Sequence, residues 1–160
     1  MDHDFYSNTL LRQILRKTKT IAVVGASANW NRPSYFAMKY LQGKGYRIIP
    51  VNPTEVGRKI LGETTYASLT DVKDTIDMVD IFRNSEAAGK ITDEAIKLNI
   101  PVVWMQLGVR NDAAAARAET AGITVIMNRC PKIEYGRLNS ELGWGGINSG
   151  IISSKKVRRI

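Results

Sequence analysis

IAVVGASANWNRPSYFAMKYLQGKGYRIIPVNP, residues 21–53, holds the repeating unit from which the architecture follows. IAVVG (21–25) is a short apolar run closed by glycine, the pattern of a strand buried on both faces. ASANWNRP reads as a loop. In residues 34–45, Ala37, Met38 and Leu41 recur at helical spacing, and Gly43 or Gly45 stops the helix. YRIIPVNP (46–53) is a second apolar strand, ended by proline. Parallel strands need a long crossover, and a helix supplies it, so strand–loop–helix–strand is the seed of a parallel sheet.

The alternation continues outward from this unit. Upstream, residues 5–18 place Leu10, Leu11, Ile14 and Leu15 on one helical face. Downstream, 54–74 has no sustained period and reads as a connection with a short strand or helical turn near Tyr66–Val72. Residues 77–83 are a strand, 85–98 a helix capped by Asn84 or Ser85, and 101–108 a strand with its following loop. Residues 111–122 are an alanine-rich helix capped by Asn111 or Asp112, 123–128 a strand, and 130–138 a short final helix. Five apolar strands alternating with helices predict an α/β single domain: a Rossmann-like, doubly wound, parallel five-stranded sheet. The domain is expected over 1–142, including the N-terminal helix. Residues 143–160 are expected to be a Gly/Ser-rich and then basic tail.

The composition suits this picture. The chain has 160 residues, 44% of them hydrophobic and 24% charged, as in ordinary globular proteins. No apolar run approaches the roughly 20 residues of a membrane span. MDHDFYSNTL has two acids and no apolar signal core, so no targeting peptide is expected and the expected compartment is the cytoplasm. One cysteine and one histidine exclude an internal disulfide framework and argue against a metal site. The net charge of +8 includes four basic residues in IISSKKVRRI (151–160), so the other 150 residues carry only +4. A mildly basic body with a basic end does not favour nucleic acid as the partner.

In such sheets ligands bind beyond the carboxyl ends of the strands. The loops after Val24, Val51, Ile81, Trp104 and Met127 are therefore the candidate site. After the first strand, Gly25 lets a ligand approach the backbone, amides at the following helix start can hold an anion, and Ser27 and Arg32 add a hydroxyl and a cation. The loop has one glycine where a dinucleotide fingerprint needs G-x-G-x-x-G, and no G-K-[ST] occurs anywhere. At the second end stand Val51, Asn52 and Pro53, without the carboxylate that an NAD site places there; nothing is acidic before Glu55. The third end offers Phe82 and Arg83, the fourth Gln106 and Gly108, the fifth Asn128, Arg129 and Cys130. Arginines 32, 83 and 129 at three strand ends predict a ligand with several anionic groups, phosphates above all.

These residues resemble a known family. IAVVGAS (21–27), RPSY (32–35), YLQGKGYRIIPVNP (40–53), YASL (66–69), VDIFR (79–83), VVWMQLG (102–108), AGITVI (121–126) and NRCPKIEYGRL (128–138) occur in order. Together they are similar to the small stand-alone CoA-binding proteins, sometimes called YccU-like, which are related to the CoA-binding domain of the succinyl-CoA synthetase α subunit. The resemblance implies a Rossmann fold that binds coenzyme A. It implies Gly25, Ala26, Ser27 and Arg32 at the phosphates and Val51, Asn52 and Pro53 along the adenosine. It sets Phe82, Arg83 and Gln106, beside Gly108, along the nucleotide or pantetheine, with Arg129 as a further contact. Where Asn128 stands, family members often carry an acid.

The residues favour a binding module, sensor or carrier, over a catalyst. His3 is expected on a loose terminus and inert. Asp77 and Asp80 flank a strand and are given solvated or paired roles. Cys130 follows Arg129 near a helix start, so two roles are open to it: a small packing residue, or a thiol that forms a mixed disulfide with CoA. The alternatives are an enzyme using acyl-CoA, a ligase-like subunit dependent on a protein partner, and an NAD-binding protein.

Overall fold

Five parallel strands form the centre of the molecule: β1 (Thr20–Val24), β2 (Arg47–Val51), β5 (Met78–Ile81), β6 (Val102–Met105) and β7 (Thr124–Ile126), in the order β2-β1-β5-β6-β7. The computed structural model describes residues 1–139; the expected tail, 143–160, and the domain boundary at 142 lie outside the described residues. Every strand residue from Ile21 to Val24, Ile48 to Val51 and Met78 to Ile81 is buried, as apolar runs without alternation require when both sheet faces are covered.

Two cores follow from the two faces. Helices α3 (Ser85–Lys97) and α4 (Asp112–Thr120) cover one, where Ala88, Ala95, Ala114 and Ala118 pack on Ala22, Val79, Val103 and Val125. Helices α1 (Asn8–Lys17), α2 (Pro33–Gly43) and α5 (Pro131–Leu138) cover the other, where Leu11, Leu15, Met38, Leu41 and Tyr135 pack on Ile21, Ile48, Met78 and Trp104. The caps follow the sequence. The side chains of Ser7, Asn84 and Asn111 accept bonds from the amides three residues on, and Pro33 and Pro131 open their helices.

The connection after β2 holds more than expected. A one-turn 3-10 helix (Pro53–Glu55) leads into an antiparallel pair, β3 (Lys59–Ile60) and β4 (Glu63–Thr64). Tyr66 then bridges to Val51, and a second 3-10 turn covers Leu69–Asp71. Strands of two residues carry too little pattern to be read from sequence.

The strand order reverses direction at β1 and β5. From β1 the chain crosses through α2 to β2; from β5 it crosses through α3 to β6 on the other side. The loops after these two strands part from each other, which leaves a crevice at their carboxyl ends.

Candidate functional site

Gly25 stands at that crevice. Its φ is +91°, and a Cβ there would lie 2.6 Å from the carbonyl oxygen of Phe82 and 3.1 Å from Cδ of Arg83. Only glycine tolerates both the left-handed backbone and the approach of the β5 loop. The amides of Gly25 and Ala26 donate to the Val51 carbonyl at 2.9 and 3.4 Å, so they stitch the loop to β2. These two amides are therefore already paired, and any amide contact to an anion falls to the start of α2. Ala26 is fully buried and Val51 is core, so neither presents a side chain to a ligand.

A cleft of about 410 Å3 opens here, lined by Gly25, Ser27, Arg32, Ser34 and Phe82 on one side and Asn52, Thr54 and Glu55 on the other, with Pro33 at its edge. Ser27 braces its own loop, its Oγ accepting from the Asn29 amide at 3.1 Å. Arg32 is exposed at the start of α2, without a salt bridge among the described residues. Asn52 does two jobs. Its Nδ2 donates to the Ala26 carbonyl at 2.8 Å, tying the two loops together, and its Oδ1 accepts from the Thr54 amide, starting the 3-10 turn. Pro53 is exposed at the first position of that turn.

The turn brings in a residue the sequence reading set aside. Glu55 curls back into the cleft, with one carboxylate oxygen buried and Arg58 Nε 3.6 Å away. The usual acid of a second strand end is thus displaced by one helical turn rather than missing from the site. Asn52 and Pro53 are the signal for it, since an Asx-type cap followed by proline starts such a turn.

The other strand ends are arranged differently. Arg83 is exposed and lays its stem over Gly25. Gln106 is only 8% exposed, and its Oε1 has no hydrogen-bond partner among the described residues. Gly108 has φ +81° and donates its amide to Asn128 Oδ1 at 2.7 Å, so Asn128 joins the fourth loop to the fifth. Cys130 is 6% exposed at the cap of α5 and makes no capping bond. Arg129 is turned away from the cleft: its guanidinium lies over the Tyr6 ring at 5.1 Å.

Tyr6 belongs to an N-terminal strap that corrects the expectation of a loose end. Tyr6 Oη accepts from the buried Met127 amide at 2.8 Å and meets His3 Nδ1 at 2.8 Å, while His3 Nε2 lies 2.6 Å from Glu119 on α4. The His3 side chain is 9% exposed, so the single histidine is an ordered bridge from the strap to α4. Asp4 completes the strap by pairing with Arg110 at 2.7 Å.

One buried acid also departs from expectation. Asp77 is paired, accepting from the amides of Lys19 and Thr20 at 3.0 and 2.9 Å. Asp80, in register between Val23 and Trp104, is fully buried, and neither carboxylate oxygen has a partner among the described residues. Burial pushes its carboxyl well above the usual carboxylate range. The assignment of Asp80 to a solvated or paired role is therefore wrong: in a strand covered on both faces, its position in the alternation points it into the core.

A family model described as a CoA binding domain matches residues 19–136. Uncharacterized protein YneT of Bacillus subtilis is 38% identical over 129 residues, 81% of this chain and 94% of that protein. A solved structure from Thermus thermophilus superposes with a TM-score of 0.80 at 38% identity, covering 83% of this chain and 99% of that one. An ADP-forming acetate–CoA ligase of Methanocaldococcus jannaschii is 32% identical over 82 residues, which are 51% of this chain but 11% of that enzyme.

Proposed function

The chain belongs to the CoA-binding domain family, and from that premise we propose that it binds coenzyme A, or an acyl-CoA, at the carboxyl ends of β1, β2 and β5 as a non-catalytic sensor or carrier module. The cleft carries the reading. It joins a forced glycine at a strand crossover, the start of α2, the Arg32 guanidinium and the hydroxyls of Ser27 and Ser34. A helix start with a bidentate cation and small hydroxyls suits phosphate oxygens. Asn52, Pro53 and Thr54 then flank the adenosine, and Phe82, Arg83 and Gln106 lie along the course of the pantetheine arm. Gln106 Oε1, buried without a partner, is an acceptor suited to an amide N–H of that arm. The single histidine is bound to Glu119 at the α4 side, three strands from β1, which supports binding rather than histidine chemistry at the cleft.

A second reading, an NAD-type dinucleotide, is favoured by Glu55. A carboxylate in the cleft accepts bonds from free ribose hydroxyls and repels a ribose phosphate, which CoA carries. Thermal denaturation with CoA, dephospho-CoA and NAD separates the two, because a ligand that binds the folded state raises its melting temperature. CoA gives the largest rise if the first reading holds. A larger rise with NAD transfers the site to the second, and no rise with any of them removes both. A ligase-like role with a partner chain rests on the acetate–CoA ligase relative, in which the matching region is a small part of a longer enzyme. Acyl-CoA turnover by the purified chain alone would replace the carrier reading.

A further inference from the structure

The two loops that supply the cleft's lining also carry exposed apolar side chains. Trp30, on the loop after β1, is 66% exposed; Val56, just after the 3-10 turn that follows β2, is 53% exposed. Each lies within two residues of a side chain that lines the cleft, Arg32 for one and Glu55 for the other. β1 and β2 are neighbours in the sheet, so the loops that carry Trp30 and Val56 leave adjacent strand ends.

Trp30 is held out by a braced turn. The Asn29 amide donates to Ser27 Oγ at 3.1 Å, the Asn31 amide to Asn29 Oδ1 at 2.9 Å, and the Arg32 amide to the Asn29 carbonyl at 3.0 Å. No ring or cation packs on the indole among the described residues, whereas exposed Phe36 has Lys132 Nζ 5.9 Å from its ring centre. An ordered indole left in water forgoes the burial that a large aromatic side chain gains elsewhere.

We infer that Trp30, opposed by Val56, grips a planar nucleobase at the mouth of the cleft while Arg32 holds the phosphates beneath it. The inference rests on the nucleotide part of the CoA reading and adds the side chain that meets the base. Base stacking on an aromatic ring is sequence-tolerant but needs the ring.

The test is calorimetric titration of the full chain with CoA and with 4′-phosphopantetheine, which has the phosphate and arm but no base. Trp30→Ala is expected to weaken CoA by about five- to a hundredfold, in line with measured base–aromatic stacking, and to leave 4′-phosphopantetheine unchanged. Trp30→Phe keeps most of the CoA affinity. Trp30 is exposed, so both variants retain the wild-type melting temperature. Wild-type CoA affinity in Trp30→Ala overturns the inference, as does an equal loss for both ligands, which would place the effect at the phosphate. If the wild type ignores CoA but binds NAD in a Trp30-dependent way, the grip stands and the CoA reading falls. If it binds neither, both fall.

Discussion

The carboxyl edge of the sheet has two halves built from the same kinds of residue and used differently. At β1, β2 and β5 the loops part, and Arg32, Ser34, Thr54 and Glu55 line open space. At β6 and β7 the loops are sewn together by Gly108 and Asn128, and the strap covers the end of β7 through Tyr6 and Met127. An arginine stands at each: Arg32 lines the cleft and Arg129 lies on Tyr6. A strand end is thus a place where a ligand can bind, and the chain's own distant contacts decide whether it is still open.

The contrast can be broken most sharply at Gly25. Gly25→Ala puts a methyl against the Phe82 carbonyl in a left-handed backbone. It should cost about 3 kcal/mol from strain and overpacking, seen as a melting temperature lower by roughly 6–12 °C, and abolish CoA binding. A variant that melts and binds as wild type would mean the crevice is not built on that approach.

Next in size is the arginine pair. Arg32→Ala should weaken CoA by about 10- to 100-fold, as expected for lost hydrogen bonds to a charged group, whereas Arg129→Ala should leave affinity within about twofold and cost about 0.5–1 kcal/mol of stability through Tyr6. Equal losses of affinity in calorimetry would erase the distinction between the two halves.

A pH-dependent test concerns β5, the strand of the open half that borders β6. The native carboxyl of Asp80 is shifted upward by burial. Its contribution to stability is therefore fully present below the unfolded carboxylate value, near pH 4, and is lost as pH rises toward and through the raised native value. Asp80→Asn removes that titration. The stability of the variant relative to wild type should climb with pH above about 4, by at most about 1.4 kcal/mol per pH unit. Parallel pH–stability curves would show that Asp80 has found a partner and ionises normally.

The legible part of the site was what short-range pattern carries. Gly25, Ser27, Arg32 and Asn52 follow from where apolar runs end and helices begin, and the cleft gathers all four. Glu55 was missed because a single 3-10 turn has no periodicity. The strap was missed because Tyr6 meets Met127 across 121 positions, a distance over which no local pattern speaks. Asp80 was misplaced because a lone acid in an apolar run looks like the end of a strand.

Element order, the parallel sheet and the strand-end loops are written in local pattern, because burial on both faces, helical spacing and punctuation by glycine and proline are local properties. Which loops part and which close, where Glu55 points, and the ordering of His3 emerge only once the chain is folded. Those outcomes depend on packing and hydrogen bonds between segments that are neighbours in space alone.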